Sequence, residues 1–344
     1  MLNEQGRIMK AFIKKISYYI PNNIIENTNR RLAKKTGIYR RHICSAEETA
    51  SDMAVVAANR LFNSEIERRE VEFVILCTQS ADYYLPTTAC ILQERLGLNE
   101  NCGAYDFNLG CSGYIYGLSM AKGLIETGQV KNVLLLTAET YSKYINKDDN
   151  SVLPLFGDAA AATFIEGEDV KNEGLGGFVF GTRGSLYDKL IVPCGGARNR
   201  YTETPEEQHI DDFGNKRTNR NLFMDGAAIS DFALDVVPAT MDKILANSNM
   251  QKSDIDFFVF HQANKFMLDY LRIRCDLMDY PYWNDVNEYG NTVSCSIPIA
   301  LLDMWNRNNY VKKVMSIGFG VGLSWAGCII DLSYLTGLNC MKTQ

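Results

Sequence analysis

Short apolar runs alternate along this chain with longer stretches of helical periodicity. The runs are rich in Val, Ile, Leu and Phe, which is typical of buried strands in an α/β protein. They predict strands at 71–77, 133–137, 159–165, 255–260 and 314–317. Helices are predicted at 49–62, 87–96, 112–127, 226–246, 265–275 and 294–306, and Gly128 stands where a glycine commonly ends a helix. The segment 181–221 has no periodicity, and we interpret it as a connecting excursion.

An internal repeat organises the chain, and it is found when the first predicted strand is laid over the fourth. After a single gap of four residues, Cys111 matches Asn291. Each copy runs strand, helix, short strand, Gly-led tight turn, buried helix, strand. We therefore predict two pseudo-symmetric halves, residues 1–172 carrying Cys111 and residues 173–344 carrying His261 and Asn291. Packed face to face, the halves would bring both Gly-led turns to one pseudo-twofold axis.

Composition narrows the classes of function. The chain has 344 residues and a formal net charge of -6, which argues against nucleic-acid binding because phosphates require a clustered positive field. The net charge does not argue against the binding of a small anionic ligand. No apolar run approaches the roughly 20 residues of a membrane helix, so we expect no membrane insertion and a cytoplasmic location. The ten cysteines form no CxxC pair or zinc-like cluster, and we expect most to be buried.

Cys111 is singled out by its position between a short strand that ends at Gly110 and a helix that begins directly afterwards. The unpaired N–H groups and dipole of a helix start stabilise a thiolate, so we expect a nucleophile at neutral pH. Small residues at 113, 117 and 121 would let this helix pack closely against its symmetry mate. A structural cysteine is the alternative, which the repeat disfavours.

His261 follows a predicted strand, at the carboxyl end where ligands bind in α/β proteins. It is one of three histidines and the best acid–base candidate. The structural alternatives are a core histidine satisfied by hydrogen bonds and, for Asn291, a turn residue in a left-handed conformation. Alternating glycines at 318, 320 and 322 predict a close backbone approach to Cys111. We expect the N–H groups of Cys111 and Gly322 to form an oxyanion hole, with a purely structural hairpin as the alternative.

Together these motifs resemble the β-ketoacyl-acyl-carrier-protein synthase III family. The matching motifs are Gly-Cys111-Ser-Gly, His261-Gln-Ala-Asn264, Gly-Asn291-Thr and 318–325, with further similarity at 36–42, 85–89 and 156–158. The similarity runs almost end to end, in the family's order and spacing. It implies an α/β, five-layered αβαβα thiolase fold, an obligate homodimer, and a catalytic triad of Cys111, His261 and Asn291. Asn264 and Phe319, which lie in these motifs, are expected to contact substrate.

The resemblance also implies a ping-pong reaction that needs neither metal nor redox cofactor. Cys111 takes an acyl group from a thioester; decarboxylation of a malonyl thioester then gives an enolate, stabilised by His261 and Asn291, which attacks the acyl-enzyme. The partners would be acyl carrier protein, coenzyme A, or both.

The family pattern leads to two further expectations about substrate selection, and the positions of basic residues lead to a third. Leu85, before Pro86, would reach across the dimer as a gate on acyl-chain length. Arg31 and Asn150 replace the pair that sandwiches adenine in relatives, which favours carrier-bound starters. A locally basic patch of Lys265, Arg272 and Arg274 would receive an acidic carrier.

Other reactions of the fold fit the sequence less well. A non-condensing acyltransferase of secondary metabolism is the main alternative, although Asn291 would have little to do there. A degradative thiolase would carry a second cysteine in the terminal Gly-rich turn, where Val321 stands instead. Hydroxymethylglutaryl-CoA synthase chemistry would need a glutamate within 78–84, where only Asp82 is acidic. A non-catalytic subunit would lack Cys111.

Overall fold

The computed structural model describes residues 9–308 and 310–336, which form two main β-sheets with helices between and outside them. The strands are β1 Met9–Tyr19, β2 Ile24–Glu26, β3 Arg40–His42, β4 Phe73–Cys77, β5 Gly103–Phe107, β6 Asn132–Glu139, β7 Ala159–Asp169, β8 Leu175–Thr182, β9 Leu190–Ile191, β10 Gln208–Ile210, β11 Lys216–Thr218, β12 Phe223–Met224, β13 Phe257–Phe260, β14 Lys313–Gly320 and β15 Ser324–Asp331. The α-helices are α1 Arg30–Thr36, α2 Ala50–Asn59, α3 Glu65–Arg69, α4 Thr88–Arg95, α5 Gly113–Glu126, α6 Gly226–Ser248, α7 Lys265–Arg274, α8 Val286–Tyr289 and α9 Ser296–Arg307.

The two large sheets share one topology. In the first sheet, β4 lies parallel to β5 and β6, and the order is β1-β7-β6-β4-β5. In the second, β13 lies parallel to β14, and the order is β13-β14-β15-β8. A parallel bridge between Phe258 and Tyr282 flanks β13, where β5 flanks β4 in the first sheet. The sheets therefore match strand for strand, as the repeat predicts, while the division after residue 172 stays a prediction.

Helices fill the space between the sheets and cover their outer faces. Helices α5 and α9 contact both sheets and form the central layer. Helices α2 and α4 cover the outer face of the first sheet, and α6 packs on the second, with α7 against it. This is the five-layered αβαβα arrangement that the resemblance predicts. No helix in the part of the chain described here is both long and apolar enough to cross a membrane.

The small residues of α5 serve a different contact from the one predicted. A methyl group at Gly113 would lie 2.2 Å from Cys77 Sγ, and one at Gly117 would lie 2.6 Å from Leu135 Cδ1. Both partners belong to the first sheet, so the glycines let the helix approach that sheet rather than a helical mate. The expectation of close helix–helix packing was therefore wrong for Gly113 and Gly117, and for Ala121 it stays a prediction.

The predicted helices and strands are all present, with ends that differ by a few residues. The apolar pattern missed β1, which carries lysines among its apolar residues and buries only some of its side chains. It also missed β8, whose exposed and half-buried positions give no continuous apolar run. The excursion 181–221 begins in the end of β8 and beyond it holds a 3-10 helix, Gly184–Lys189, and the short strands β9 to β11.

Candidate active site

Cys111, His261 and Asn291 open into one cavity of about 280 Å³. Phe319 and Gly320, at the end of β14, line the same cavity, and so does Asn264. The three sequence-predicted catalytic residues come from turns in different halves of the repeat, so only the packing of the two sheets brings them to one space.

Cys111 sits one residue before Ser112, the N-cap of α5, and is only 5% exposed. The second sheet touches it directly through glycines. A methyl group at Gly318 would lie 2.5 Å from the carbonyl oxygen of Cys111, and one at Gly320 would lie 2.9 Å from its Sγ. Real side chains do not tolerate such distances, so the alternation of glycines in β14 provides the close backbone approach that the sequence predicts.

The Cys111 sulfur rests as a thiol rather than the expected thiolate. Burial raises the pKa of Cys111 above the ordinary range, and the nearby Glu139 carboxyl raises it further. The expectation based on the helix start alone was wrong, because desolvation of a buried sulfur disfavours its charged form. Formation of the nucleophile therefore requires a proton acceptor within the cavity.

His261 follows the last residue of β13 and is held at two points. Its backbone N–H donates to the Ile317 carbonyl at 2.9 Å, and its Nδ1 lies 2.7 Å from Ser296 Oγ. The Phe319 ring meets the imidazole edge-on, with the ring centroids 5.4 Å apart. Burial lowers the pKa of His261 to about 3, so the ring is neutral at physiological pH. Because the Ser296 hydroxyl can donate or accept, either neutral tautomer is satisfied at Nδ1.

Asn291 is fixed by its backbone and by its side-chain oxygen. Its N–H donates to the Leu155 carbonyl at 2.9 Å, and its carbonyl accepts from the Gly157 N–H at 3.0 Å. Its Oδ1 accepts from the Val293 N–H at 2.9 Å. The left-handed backbone in this turn belongs to Gly290 (φ 69°) and Val293 (φ 54°), so the alternative of a left-handed Asn291 was wrong. A β-branched residue in this region is strained, and such strain is typical of functional turns.

The oxyanion-hole assignment remains a prediction. Gly320 lies against the sulfur, whereas Gly322 does not line the cavity. Across the described residues, the N–H groups of Cys111, Val321 and Gly322 donate to no backbone carbonyl, and that of Cys111 interacts with its own sulfur. A donor paired with that of Cys111 is therefore available in the turn between β14 and β15, with Gly322 as the predicted one.

The other predicted site residues divide between the cavity and the surface. Phe319 and Asn264 line the cavity, and Asn264 also caps α7 by accepting from the Met267 N–H at 2.9 Å. Leu85 is 86% exposed and does not line the cavity of its own chain. Its exposure leaves it available to a second subunit, and the gate stays a prediction.

The predicted basic patch is weaker than the sequence suggests. Lys265 forms an ion pair with Asp269, and Arg272 donates to the carbonyls of Leu277 and Met278 at the end of α7. Arg274 is exposed. The exposed residues of α7 also include Phe266, Tyr270 and Ile273, which are between 41% and 59% exposed and lie beside the charged Lys265, Asp269 and Arg274.

Several polar residues at the site escaped sequence reasoning. Ser296 orients His261, Tyr141 lines the cavity, and Glu139, two residues before Tyr141, is fully buried. A glutamate that closes an apolar strand, as Glu139 closes β6, is the one signal that could have drawn attention to it. Serines at a helix start give no comparable signal, because they are common there for capping alone.

Comparison with known proteins supports the likeness over most of the chain. Residues 105–184 match the family model of 3-oxoacyl-[acyl-carrier-protein (ACP)] synthase III, and residues 245–332 match the model of its C-terminal part. A β-ketoacyl-[acyl-carrier-protein] synthase III of Clostridium perfringens is 33% identical, covering 91% of this chain and 97% of the relative.

Solved structures give the same result in three dimensions. A 3-oxoacyl-(acyl-carrier-protein) synthase III crystal structure aligns with a TM-score of 0.90 and 44% identity, covering 94% of this chain and 99% of the other. The priming β-ketosynthase of the R1128 polyketide pathway aligns with a TM-score of 0.81 and 27% identity, covering 94% of this chain and 97% of the other.

Proposed function

Because this chain belongs to the 3-oxoacyl-[acyl-carrier-protein] synthase III family, we propose that it carries out the family's condensation through an acyl-Cys111 intermediate. The enzyme is a ketoacyl synthase that joins an acyl thioester to a malonyl thioester in fatty-acid or related biosynthesis. The assignment of Cys111, His261 and Asn291 to its steps is our own. It rests on their convergence on one cavity in a family member.

The first half-reaction needs the Cys111 proton to leave. Neutral His261 can accept this proton at Nε2 while Nδ1 stays bonded to Ser296. Because burial disfavours a free imidazolium and a free thiolate alike, the proton moves together with the attack on the thioester rather than before it. The sulfur attacks the acyl thioester carbonyl, and backbone N–H groups stabilise the oxyanion. Collapse breaks the bond to the carrier sulfur, which takes the proton from His261 as it departs. The products are an acyl-enzyme and a free carrier thiol.

The second half-reaction forms the carbon–carbon bond. A malonyl thioester enters and loses carbon dioxide, which leaves an enolate whose oxygen requires hydrogen-bond donors. The Asn291 amide nitrogen and the neutral imidazole of His261 are suited to this role because neither brings a charge that must be desolvated. The enolate carbon attacks the acyl-Cys111 carbonyl, and collapse of the adduct breaks its bond to the Cys111 sulfur. The β-ketoacyl thioester leaves, and the sulfur takes one proton from solvent to become the thiol again.

The free amide nitrogen of Asn291 favours condensation over acyl transfer to an alcohol or amine. Because Val293 occupies Oδ1, the nitrogen is the end of the side chain left for a substrate. The geometry does not support the other reactions of the fold, which would need catalytic roles for Asp82 or Cys328. Asp82 accepts hydrogen bonds from Thr49 and Ser51, which gives it a structural task. Cys328 is buried within β15, beyond the terminal turn.

Carrier-bound thioesters are the expected substrates of a synthase of this family. We propose that the carrier approaches over α7, since Phe266 lines the cavity and is exposed on this helix. The contact would then depend more on Phe266, Tyr270 and Ile273 than on the charges of Lys265 and Arg272, which are engaged within the chain. A homodimer in which Leu85 closes the partner's acyl pocket remains part of the proposal.

Release of carbon dioxide separates this function from simple acyl transfer. Purified protein is first acylated by an acyl thioester and then given malonyl carrier protein. It should form one molecule of β-ketoacyl thioester for each molecule of carbon dioxide that it releases. Acyl transfer to an alcohol or amine without any carbon dioxide release would favour the non-condensing alternative.

A further inference from the structure

Glu139 is a carboxyl group buried at the junction of the two halves. It is the last residue of β6 and has 0% exposure. Among the residues described, no lysine or arginine forms an ion pair with it. A charge in such a position is costly, so the group needs a reason to be there.

Three hydrogen bonds connect this carboxyl to both sides of the junction. Its Oε2 accepts from the Gln79 N–H at 3.1 Å and lies 3.2 Å from Ser80 Oγ. Its Oε1 lies 2.7 Å from Ser294 Oγ. Gln79 and Ser80 follow β4 in the first half, whereas Ser294 belongs to the second. Glu139 therefore spans the interface between the halves.

In the first half, Gln79 links Glu139 to the Cys111 turn. Its Nε2 donates to Asn108 Oδ1 at 2.9 Å, three residues before Cys111. Its Oε1 accepts a hydrogen bond from Tyr141 and lies 2.7 Å from where a methyl group at Gly110 would be. The backbone that presents the sulfur is thus packed against Gln79.

In the second half, Ser294 links Glu139 to the Asn291 turn. It directly follows Val293, whose N–H fixes the Asn291 side-chain oxygen. A shift of Ser294 would move the Val293 peptide, and with it the direction of the Asn291 amide nitrogen. The same carboxyl thus braces the nucleophile's turn and the turn of the enolate-stabilising amide.

The charge of Glu139 also matters to its neighbours. Burial raises the pKa of Glu139 to about 8, against the opposing effect of the hydrogen bonds from Ser294, Gln79 and Ser80. The titratable groups whose charges interact with it are Cys77, Cys111, Cys295, Tyr141, Tyr144 and Asp158. Each of these is either neutral or negative. An ionised Glu139 therefore opposes a thiolate at Cys111.

We propose that Glu139 is a positioning residue of the condensing site. Its carboxyl ties the Cys111 turn to the Asn291 turn through Gln79 and Ser294, and a negative charge on it opposes a thiolate at Cys111. The proposal rests on the proposed function only for the catalytic use of Cys111. The tie and its effect on the thiol are properties of the folded chain and can be measured without any substrate.

Two variants separate the effect of the hydrogen bonds of Glu139 from the effect of its charge. In Glu139→Gln the amide oxygen can accept from the Gln79 N–H while its nitrogen donates to Ser294, and the group cannot ionise. Glu139→Ala removes both contacts. Asp303→Asn is the matched control, because Asp303 is another buried carboxyl with a raised pKa that bonds instead to Tyr18 and Tyr289.

The test is the pH dependence of Cys111 alkylation by iodoacetamide, followed by peptide mass spectrometry with exposed Cys90 as the internal standard. We expect wild type and Glu139→Gln to be alkylated at similar rates near pH 7. Above pH 8, where Glu139 ionises, we expect Glu139→Gln to be alkylated up to about tenfold faster, since a nearby buried charge typically shifts a pKa by about one unit. Asp303→Asn should follow wild type at every pH. Superimposed profiles for wild type and Glu139→Gln would overturn the coupling to the thiol, whether or not the enzyme condenses anything.

Malonyl decarboxylation by the acyl-loaded enzyme tests the tie. We expect Glu139→Gln to stay within about threefold of wild type at pH 7 and Glu139→Ala to fall more than about tenfold, the loss expected for a displaced donor. Equal rates for all three proteins would overturn the tie. If the alanine variant does not fold, the glutamine variant decides: retained decarboxylation supports the proposal, and a loss beyond tenfold contradicts it.

Discussion

The side-chain oxygen of Asn291 accepts a hydrogen bond from the backbone N–H of Val293, at 2.9 Å. This contact fixes which end of the amide faces the cavity. Val293 reaches it through a left-handed backbone (φ 54°) that is unfavourable for a β-branched side chain. The turn is therefore held in a costly conformation whose effect is to direct one hydrogen-bond donor.

Asn291→Asp should keep this turn and lose the donor. The carboxylate can still accept from Val293, but it offers no N–H to the enolate and adds a negative charge beside it. We expect malonyl decarboxylation to fall about a hundredfold or more, the usual effect of losing one such donor, while acylation of Cys111 changes far less. Carbon dioxide release and self-acylation, measured separately, decide this. Parallel loss of both would contradict the assigned role.

His261→Ala should differ from the Asn291 variant by slowing both half-reactions. The family pattern alone assigns His261 to the enolate, but the raised pKa of Cys111 gives it a second task as acceptor of the thiol proton. Ser296→Ala is the milder companion, since it leaves the imidazole in place without its partner at Nδ1. Single-turnover acylation with a fixed starter is the measurement. Wild-type acylation by His261→Ala would restrict the histidine to decarboxylation.

Leu85→Phe should narrow the range of accepted starters if the protein is a dimer. A bulkier side chain at a gate in the partner's pocket leaves less room for long acyl groups, whereas Leu85→Met keeps the volume and serves as the control. The chain-length profile of acylation and the sedimentation coefficient are the two measurements. An unchanged profile, or a monomer, would count against the gate.

Carrier-bound starters should be used with higher kcat/KM than the same acyl groups on coenzyme A. The family resemblance predicts that Arg31 and Asn150 replace an adenine-binding pair, so we expect adenine to contribute little binding energy. Because Phe266, Tyr270 and Ile273 are exposed on α7 and form the proposed carrier contact, Ile273→Glu should lower kcat/KM for carrier-bound substrate and leave pantetheine-bound substrate unchanged. A clear preference for acyl-CoA would contradict the proposal. A preference for the carrier that salt abolishes would indicate that the carrier contact depends on the charges of Lys265, Arg272 and Arg274.

Sequence reasoning went furthest where the pattern is local or repeated. The turns around Cys111 and Asn291 could be predicted because each is a glycine followed by a polar residue at matching places in two copies of one unit. The edge strands β1 and β8 were missed because their burial depends on which sheet they join, and a half-buried strand leaves only a weak alternation.

The charge state of the site could not be predicted in this way. Position at a helix start suggested a thiolate at Cys111, but the pKa depends on how completely the folded chain excludes water from the sulfur. Nor could the sequence show that Glu139 would accept a hydrogen bond from Ser294, since that contact joins β6 to a turn more than 150 residues away. Both effects arise from tertiary packing.

The intact mass of the protein after incubation with an acyl thioester tests the central claim most directly. We expect wild type to gain one acyl group and Cys111→Ala to gain none, while Cys77→Ala, Cys102→Ala and Cys295→Ala are acylated much like wild type. The mass added also identifies the starter from a panel of thioesters. If Cys111→Ala acquired the acyl group at the wild-type rate, the nucleophile would lie elsewhere and the proposed mechanism would be wrong.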